Sequence, residues 1–355
     1  MVSLWHAFDL AASLASGESR AEAPRAAASR ARPLAPWLRA ALLTPEEARE
    51  HEAAWRDLAS RALIPNIFGE PEMALAAATH LLQGQTARFL FVWDERAHPA
   101  PRLILSAPLI LPVLAVGEAR LWSHEQLASS VPLIDRDEAD AAMEALLEAM
   151  RQGPAKATGL MLSRVDERSV FADLVRKSVR RSGREILRFE RPSRTPPGTF
   201  PERETPAGLR STVARSSRRV REAVEHYLAI EALGSAGESG EALLFSPQAS
   251  AFLRVVTRSL ARQKRCHVEL RHAQGKPVGA DIHLRFGDTD LLWKSAGVGA
   301  STPEIPKAVS DEATVDWLIA ARPGRSPAIL ALAARDALSR GLRQLVRRAV
   351  RRPGA

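Results

Sequence analysis

The residues best suited to chemistry lie between positions 227 and 302. Glu231 closes an apolar helix turn beside a loop rich in glycine, and a carboxylate in that place can act as a general base. The other interpretation of Glu231 is a solvated carboxylate at a helix end. Tyr227 is the only tyrosine of the chain, and it either donates a proton to a leaving group or packs within its helix.

Two more ionisable residues lie in the hairpin sequence that follows. Asp281 stands in the middle of a predicted strand between small and apolar neighbours, where an acid must be paired or face solvent. Lys294 follows Trp293 on the last strand of the predicted meander. It could contact a phosphate group or form an ion pair with Asp281 across the hairpin.

A loop with two glycines follows that strand. Gly297 and Gly299 would let the backbone approach a diphosphate closely, and Ser301 or Thr302 could donate a hydrogen bond or cap a helix. A plain turn at the exit of a strand explains the same pattern, so both interpretations stay open.

The elements that must position these residues form two series. The first half alternates helices and strands, which predicts an α/β layer structure. Its predicted helices cover 44–63, 70–84, 135–152 and 169–183, and its predicted strands cover 88–95, 102–116, 158–165 and 185–192. Pro108 and Pro112 suggest that the second of these strands lies at an edge or bends.

The second half has a different order. Its pattern predicts a basic helix over 209–224, a helix that leads into the glycine loop at 234–240, and a capped helix over 246–263. A three-stranded antiparallel meander over 267–298 and a helix over 311–324 are predicted to follow. We expect a flexible tail at 1–37, an N-terminal unit at 38–195, a C-terminal unit at 209–325 and a basic helix at 326–355. The stretch rich in Pro, Thr and Gly at 191–208 is the predicted linker.

The composition restricts the class of protein. Hydrophobic residues make up 46% and charged residues 26%, an ordinary globular balance, and no apolar run reaches the roughly 18 residues that span a bilayer. The net charge of +9 favours polyanionic partners, yet aromatic residues are only 5% and do not interleave with the basic runs, so we do not expect nucleic-acid binding. One cysteine excludes disulfides and thiolate zinc sites, and the spacing of His267 and His272 does not favour a shared metal, so no metal site is expected. The N-terminus is a poor secretion signal, which favours a cytoplasmic protein.

Four segments resemble the CelD-like, cellulose-biosynthesis-associated group of the GNAT acyltransferase superfamily. They are IPNIFGEPEMALAAA (64–78), LWSHEQLASSVPLIDRDEA (121–139), VEHYLAIEALG (224–234) and HAQGKPVGADIHLRFGDTDLLWKSA (272–296). Together they cover most of residues 50–320. The resemblance implies an α/β (α+β) fold of two tandem GNAT-like units, each a mixed sheet with flanking helices.

The resemblance also implies a cofactor site. In that fold an acyl-CoA lies where the fourth strand splays from the fifth, and the next loop and helix N-terminus face its pyrophosphate. Acyl-CoA, above all acetyl-CoA, is therefore the expected co-substrate, with Trp293, Lys294 and the 297–302 loop as its contacts. Trp122 and His124, in the LWSH that would leave a strand of the first unit, are expected to line the acceptor's cleft between the units.

The sequence departs from its relatives at two places. AGVGASTPE (296–304) stands where they carry an acidic Tyr-Asp-Glu-like stretch and Ser-Pro-Gly, and LGSAGESGEAL (233–243) replaces a Gly-Trp-Lys-Gly-like run. Two functions therefore stay open. One is an acyl-CoA-dependent N- or O-acyltransferase acting on an amino-sugar or polysaccharide precursor. The other is a catalytically silent GNAT-fold partner or scaffold in exopolysaccharide biosynthesis.

The C-terminal segment from 326 is predicted to be a basic amphipathic helix. It could lie on an anionic membrane surface, which would make the protein membrane-peripheral, or it could be a solvated helix packed on the domain. Expected partners are a small-molecule or saccharide acceptor and polysaccharide-synthesis proteins. A basic binder of membrane or nucleic-acid surfaces is the third function class.

Overall fold

The structure is a computed structural model, and it describes residues 34–321 apart from 83–86, 113–116, 153–154, 156, 191–208 and 299–313. The linker predicted at 191–208, the helix predicted at 326–355 and nearly all of the predicted N-terminal tail lie outside the described residues. None of the described helices is long and apolar enough to cross a membrane.

The described part of the chain is mixed α/β, as predicted. Its helices are α1 (Pro45–Arg49), α2 (Glu52–Ser60), α3 (Pro71–His80), α4 (Ala139–Arg151), α5 (Val170–Arg181), α6 (Ser217–Ala232), α7 (Ser235–Glu238) and α8 (Pro247–Arg262). Its strands are β1 (Leu38–Leu43), β2 (Ala87–Asp94), β3 (Arg102–Ile110), β4 (Glu118–Leu121), β5 (Leu133–Ile134), β6 (Gly159–Asp166), β7 (Ile186–Glu190), β8 (Arg210–Ala214), β9 (Cys266–Ala273), β10 (Lys276–Phe286), β11 (Thr289–Gly297) and β12 (Thr314–Ala320).

The larger sheet has eight strands in the order β1-β2-β3-β4-β6-β12-β7, with β5 paired to β3. Alternate residues of β2 enter two different cores. Phe89 and Phe91 pack with Trp55 of α2, whereas Leu90 and Val92 belong to the core that contains α4 and α5. Helices thus cover both faces of the sheet, which explains why its central strands read as nearly continuous apolar runs.

The prediction of a helix over 311–324 is wrong. Residues 314–320 form β12, which lies antiparallel between β6 and β7, with Trp317 opposite Leu162 on one side and Arg188 on the other. The run TVDWLIA is rich in β-branched and aromatic residues, but its partners lie more than a hundred residues earlier in the sequence. Although the sequence assigned this segment to the C-terminal unit, it completes the larger sheet. The other domain boundaries stay a prediction.

Pro108 does not mark an edge strand, because β3 lies between β2 and β4. Its carbonyl accepts a hydrogen bond from the Trp122 amide at 3.2 Å, just after β4 ends. The N–H and C=O of one strand residue point to the same side. The N–H that Pro108 lacks would therefore face the Trp122 carbonyl, and the pairing of β3 with β4 ends at this position.

The smaller sheet has the antiparallel order β11-β10-β9-β8. The predicted meander over 267–298 is confirmed by β9, β10 and β11. The prediction of a basic helix over 209–224 is wrong for its first part, since residues 210–214 form β8, which pairs with β9. Helix α6 begins only at Ser217, where the Ser216 side chain accepts from the Arg219 amide and caps it.

One hydrophobic core joins the two sheets through helices α3 and α8. Polar contacts cross the same boundary. Arg265 makes a two-pronged ion pair with Glu70 at the start of α3, and the Gln263 amide donates to Glu72 at 2.6 Å. The two halves are therefore held in a fixed relation, so a site formed by residues from both can keep its geometry.

Candidate functional site

A β-bulge in β11 decides where Lys294 points. Ile282 lies opposite Lys294 while His283 lies opposite Leu292, so Trp293 is an extra residue between the two pairs. Residues on either side of such an insertion can face the same side of the sheet. Trp293 packs in the core and Lys294 shares the face of the buried Ile282, so both face the helices. Without the bulge, the lysine would point to the opposite face.

Glu231 lies at the end of α6, on the side of the smaller sheet that the helices cover and toward which Lys294 also points. Its Oε1 accepts a hydrogen bond from the Tyr227 hydroxyl at 3.0 Å, and its Oε2 accepts one from the Leu243 amide at 2.8 Å. Tyr227 is 1% exposed, and burial, followed by the charge of Glu231, raises its pKa well above 10.0. Tyr227 thus stays protonated and orients Glu231, because its hydroxyl is buried and its proton is already directed at that carboxylate.

The N-terminal half contributes the loop that follows β4. The amide of Gln126 donates to Nδ1 of His124 at 3.1 Å, so Nδ1 carries the lone pair. Burial above all lowers the pKa of His124, which favours the neutral ring. The ring proton of the neutral form is then on Nε2, and His124 presents an N–H donor there.

These groups form a mixed-charge cluster between the two halves. Burial lowers the pKa of the half-buried Lys294, and the charges of Glu231 and Glu125 act in the opposite direction. Lys294 and Arg164 are in turn the cations that act on His124. The cluster therefore contains two carboxylates, two cations and a neutral imidazole, taken from β6, α6, β11 and the loop after β4.

The backbone supports the close approach of these elements. Gly297 at the end of β11 has φ +82°, and an added Cβ would lie 2.2 Å from the Val278 carbonyl oxygen and 2.5 Å from Cγ2 of Ile230 on α6. A glycine is therefore required where β11 meets the end of α6. Arg164 also has a positive φ, of 56°, and its amide donates to the Asp316 carboxylate on β12 at 3.0 Å. Strained non-glycine residues are concentrated at functional sites.

In the described part of the larger sheet, β4 and β6 form the one parallel pair. Their pairing ends at Arg120 and Met161, so the strands separate beyond that point. The helix that follows β4, α4, begins with Glu138 as its cap and Asp140 in its first turn. The Glu138 side chain makes no cap hydrogen bond and pairs with Arg96, and that of Asp140 pairs with Lys177 and Arg181.

The predicted pairing of Asp281 with Lys294 is wrong. Asp281 lies opposite Ser295, on the face away from the helices. It is 7% exposed, and it accepts hydrogen bonds from the Arg271 guanidinium and the Ser295 hydroxyl. Arg271 also donates to the carbonyls of Val298 and Ala296. Asp281 thus anchors the end of the hairpin and does not lie beside Glu231.

Several predicted cofactor and acceptor contacts have structural roles. Trp122 is 2% exposed and packs edge-on against Phe89. Trp293 is also buried, and its Nε1 donates to the Gln126 carbonyl at 3.2 Å, which ties β11 to the loop after β4. The Val298 amide donates to the Val278 carbonyl and so is not a free donor.

The prediction for Gly299, Ser301 and Thr302 lies outside the described residues. In the described part, β11 is paired on one side only, with β10, so its outer edge is unpaired there.

Of the predicted site residues, Glu231, Tyr227, Lys294 and His124 come together. Sequence reasoning missed Glu125 and Arg164. Glu125 directly follows His124, so the segment that suggested one could have suggested the other. Arg164 carries no local signal, because only the long-range pairing of β6 with β12 brings it to this place.

Comparison with known proteins finds a family match in the C-terminal half of the chain. Residues 202–321 match the family described as Acetyltransferase (GNAT) domain. No curated protein matches the chain.

Three solved structures resemble the chain at low identity. FemX is 11% identical over 73% of this chain and 80% of its own, with a TM-score of 0.44. A conserved protein of unknown function from Bacteroides thetaiotaomicron VPI-5482 is 10% identical over 76% and 97%, with a TM-score of 0.41. A tandem GNAT protein from the clavulanic acid biosynthesis pathway is 11% identical over 81% and 100%, with a TM-score of 0.34.

Proposed function

We propose that the protein is an acyl-CoA-dependent N- or O-acyltransferase whose reaction takes place in the cluster around Lys294 and Glu231. The observation that carries the proposal is the convergence of Lys294 and Glu231 with His124 and Glu125 at the junction of the two halves. There Trp293, next to Lys294, donates a hydrogen bond to Gln126 of the loop that carries His124 and Glu125. The GNAT-domain match over 202–321, which contains both Glu231 and Lys294, supports this chemistry.

The roles follow from what each group can donate or accept. Acyl transfer needs a base for the acceptor's proton and donors for the oxygen of the tetrahedral intermediate. Glu231 is the base, since two protein donors fix its carboxylate and a carboxylate still has lone pairs left. The ammonium of Lys294 and the Nε2–H of His124 are the donors for the oxyanion.

The step balances without a metal or a redox partner. The acceptor's amine or hydroxyl attacks the thioester carbonyl and its proton passes to Glu231. When the intermediate collapses, the C–S bond breaks and the thiolate leaves. Solvent then returns the proton from Glu231 to the sulfur.

The donor is proposed to bind where β11 leaves the sheet. Acyl-CoA would supply the activated acyl group, with its phosphates beyond Gly297 toward Gly299, Ser301 and Thr302. One observation supports this side of the molecule: the outer edge of β11 is unpaired in the described residues.

The acceptor is proposed to be an amino-sugar or a polysaccharide precursor, with acetyl-CoA as the donor. Hydroxyl and amine acceptors of this kind suit a site that combines carboxylates with cations. The association with cellulose or exopolysaccharide synthesis rests on the resemblance of the four sequence segments. A cytoplasmic protein with membrane-peripheral contact through 326–355 remains part of the same proposal.

A catalytically silent partner protein is the second candidate. It is favoured by the structural roles of Trp122, Trp293, Tyr227 and Gly297, since packing and backbone geometry account for each of them. The two candidates differ in whether acyl-CoA binds and reacts.

Calorimetry with acetyl-CoA, followed by thiol release in the presence of amino-sugars and other polyols, tests the proposal. Lys294→Met should lower the rate about 100- to 1,000-fold and Glu231→Gln about 100-fold or more, with folding unchanged in circular dichroism. Lys264→Met and Glu222→Gln are matched controls, because both side chains are exposed and Lys264 lies just before β9, at the end of the smaller sheet away from Gly297. No binding at millimolar acetyl-CoA would reject the transferase and leave the partner protein.

A further inference from the structure

The smaller sheet carries a second group of ligating side chains on the face opposite the helices. His267 of β9 lies directly opposite His283 of β10, and Asp290 of β11 lies beside them. One ligand atom from each of the three falls within 4.8 Å of the others, and Nε2 of His267 is 3.8 Å from Oδ2 of Asp290. The proposed transfer reaction makes no use of these residues.

The set has the composition of a transition-metal site. Two imidazoles and one carboxylate are the ligands that Zn(II) and similar first-row ions accept, with the remaining positions taken by water. Both histidines are half-buried and the aspartate is exposed, so an ion can enter from solvent. We propose that His267, His283 and Asp290 bind a divalent transition-metal ion on this face of the sheet.

Two features set the conditions for binding. The imidazole rings are stacked, with centroids 4.7 Å apart and planes 7° from parallel, so one ring must turn before both lone pairs can meet one ion. Arg285 lies directly opposite Asp290 across the hairpin and brings a competing cation. Removal of that charge is therefore expected to strengthen binding.

The position of the group links it to the bulge in β11. His283 is paired with Leu292, the residue just before the inserted Trp293. An ion held by β9, β10 and β11 would fasten the three strands together on the side of this bulge. It would thus stiffen the segment that directs Lys294 toward the helices, without contact with the acyl-transfer groups.

Metal titration of the untagged full chain tests the site without an activity assay. Zn(II) calorimetry should show one ion per chain, and Co(II) should give visible absorption bands of low-symmetry nitrogen–oxygen coordination. His267→Ala and His283→Ala should each weaken binding at least tenfold, as should Asp290→Asn. Arg285→Gln should tighten it several-fold.

Two control variants separate this site from adventitious binding. His226 is exposed on α6, and Asp288 lies two residues from Asp290 in the same turn. His226→Ala and Asp288→Asn should bind Zn(II) like the wild-type chain. If these two variants lose as much affinity as His283→Ala, or if the wild-type chain does not saturate at one ion, the site is rejected. A double variant that folds by circular dichroism, His267→Gln with His283→Gln, should show no Co(II) bands.

Discussion

The ion pair between Arg265 and Glu70 offers a quantitative test of how the two halves are joined. Arg265, just before β9, donates through two nitrogens to both oxygens of Glu70 at the start of α3, the longer contact being 2.8 Å. Their side chains are 24% and 10% exposed. The change Arg265→Met keeps the aliphatic part of the side chain and leaves the Glu70 carboxylate without its cation.

The expected cost follows from the unequal burial of the two partners. Removing one member of a buried pair costs about 3–5 kcal/mol, since it leaves an uncompensated charge. Arg265 retains some exposure, so we expect the lower end, about 3 kcal/mol. The reverse change, Glu70→Gln, should cost less, because the arginine left behind can still reach solvent. The double variant should be more stable than the sum of the single changes predicts.

The loss of stability caused by Arg265→Met should depend on pH in a fixed direction. Burial already raises the pKa of Glu70 from its ordinary value of 4.5, and Arg265 is the main group that opposes this rise. In the Arg265→Met chain the pKa of Glu70 rises further. Between 4.5 and that raised pKa the folded state binds the extra proton, so stability falls as pH rises. The deficit of the variant should be full at pH 7 and shrink as pH approaches 4.5.

Urea unfolding at several pH values measures these quantities. The exposed pair of Arg218 with Glu222 on α6 supplies the control, and Arg218→Met should change the free energy of unfolding by no more than about 0.5 kcal/mol. An Arg265→Met variant that matches this control at pH 7, or whose deficit grows on acidification, would refute the reasoning. It would mean that the Glu70 carboxylate does not depend on its cation.

Three further results are expected. Tyr227 is the only tyrosine, and burial raises its pKa well above 10.0. Near-ultraviolet absorbance at pH 10 should therefore show no tyrosinate until the chain unfolds. The stability that this group contributes is lost only as pH rises past 10.0. Gly297→Ala should cost about 2–5 kcal/mol in thermal unfolding because of its backbone and its close contacts, against about 1–2 kcal/mol for Gly275→Ala, which also has positive φ but open space around it. Asp281→Asn should cost about 3–5 kcal/mol in urea unfolding because its arginine partner is buried, whereas Asp288→Asn should stay within about 0.5 kcal/mol; equal effects would contradict the assignment.

Local sequence patterns predicted most elements whose signals are themselves local. The cap at Thr44, the strand over 88–95, the capped helix at 246–263 and the meander all have their cause in neighbouring residues, and the structure confirms each. Capping boxes, alternation and turn residues act within a few positions of one another. The type of these elements could therefore be predicted from the local sequence, without knowledge of the tertiary structure.

The errors share a different cause. β12 is a strand because β6 and β7 leave room for it, and β8 is a strand because β9 lies beside it. The pairing of Asp281 with Lys294 was wrong because one inserted residue, Trp293, puts the two side chains on opposite faces. Neither a distant partner nor a bulge is visible in local periodicity.

The candidate site was predicted in part. Glu231, Tyr227 and Lys294 were expected within one unit, and the structure adds His124 from the other half, while its role toward an acceptor stays a prediction. Arg164 was missed because only the pairing of β6 with β12 brings it to the cluster. Long-range convergence of this kind is where sequence reasoning ends and coordinates are required.

One measurement tests the central claim most directly: the rate of acetyl-CoA thiol release, with a saccharide amine as acceptor, in the wild-type chain, in Lys294→Met and in Lys264→Met. The account predicts turnover in the wild-type chain and in Lys264→Met, and a loss of about 100-fold or more in Lys294→Met. Equal rates in all three folded proteins would contradict the assignment of the reaction to this cluster.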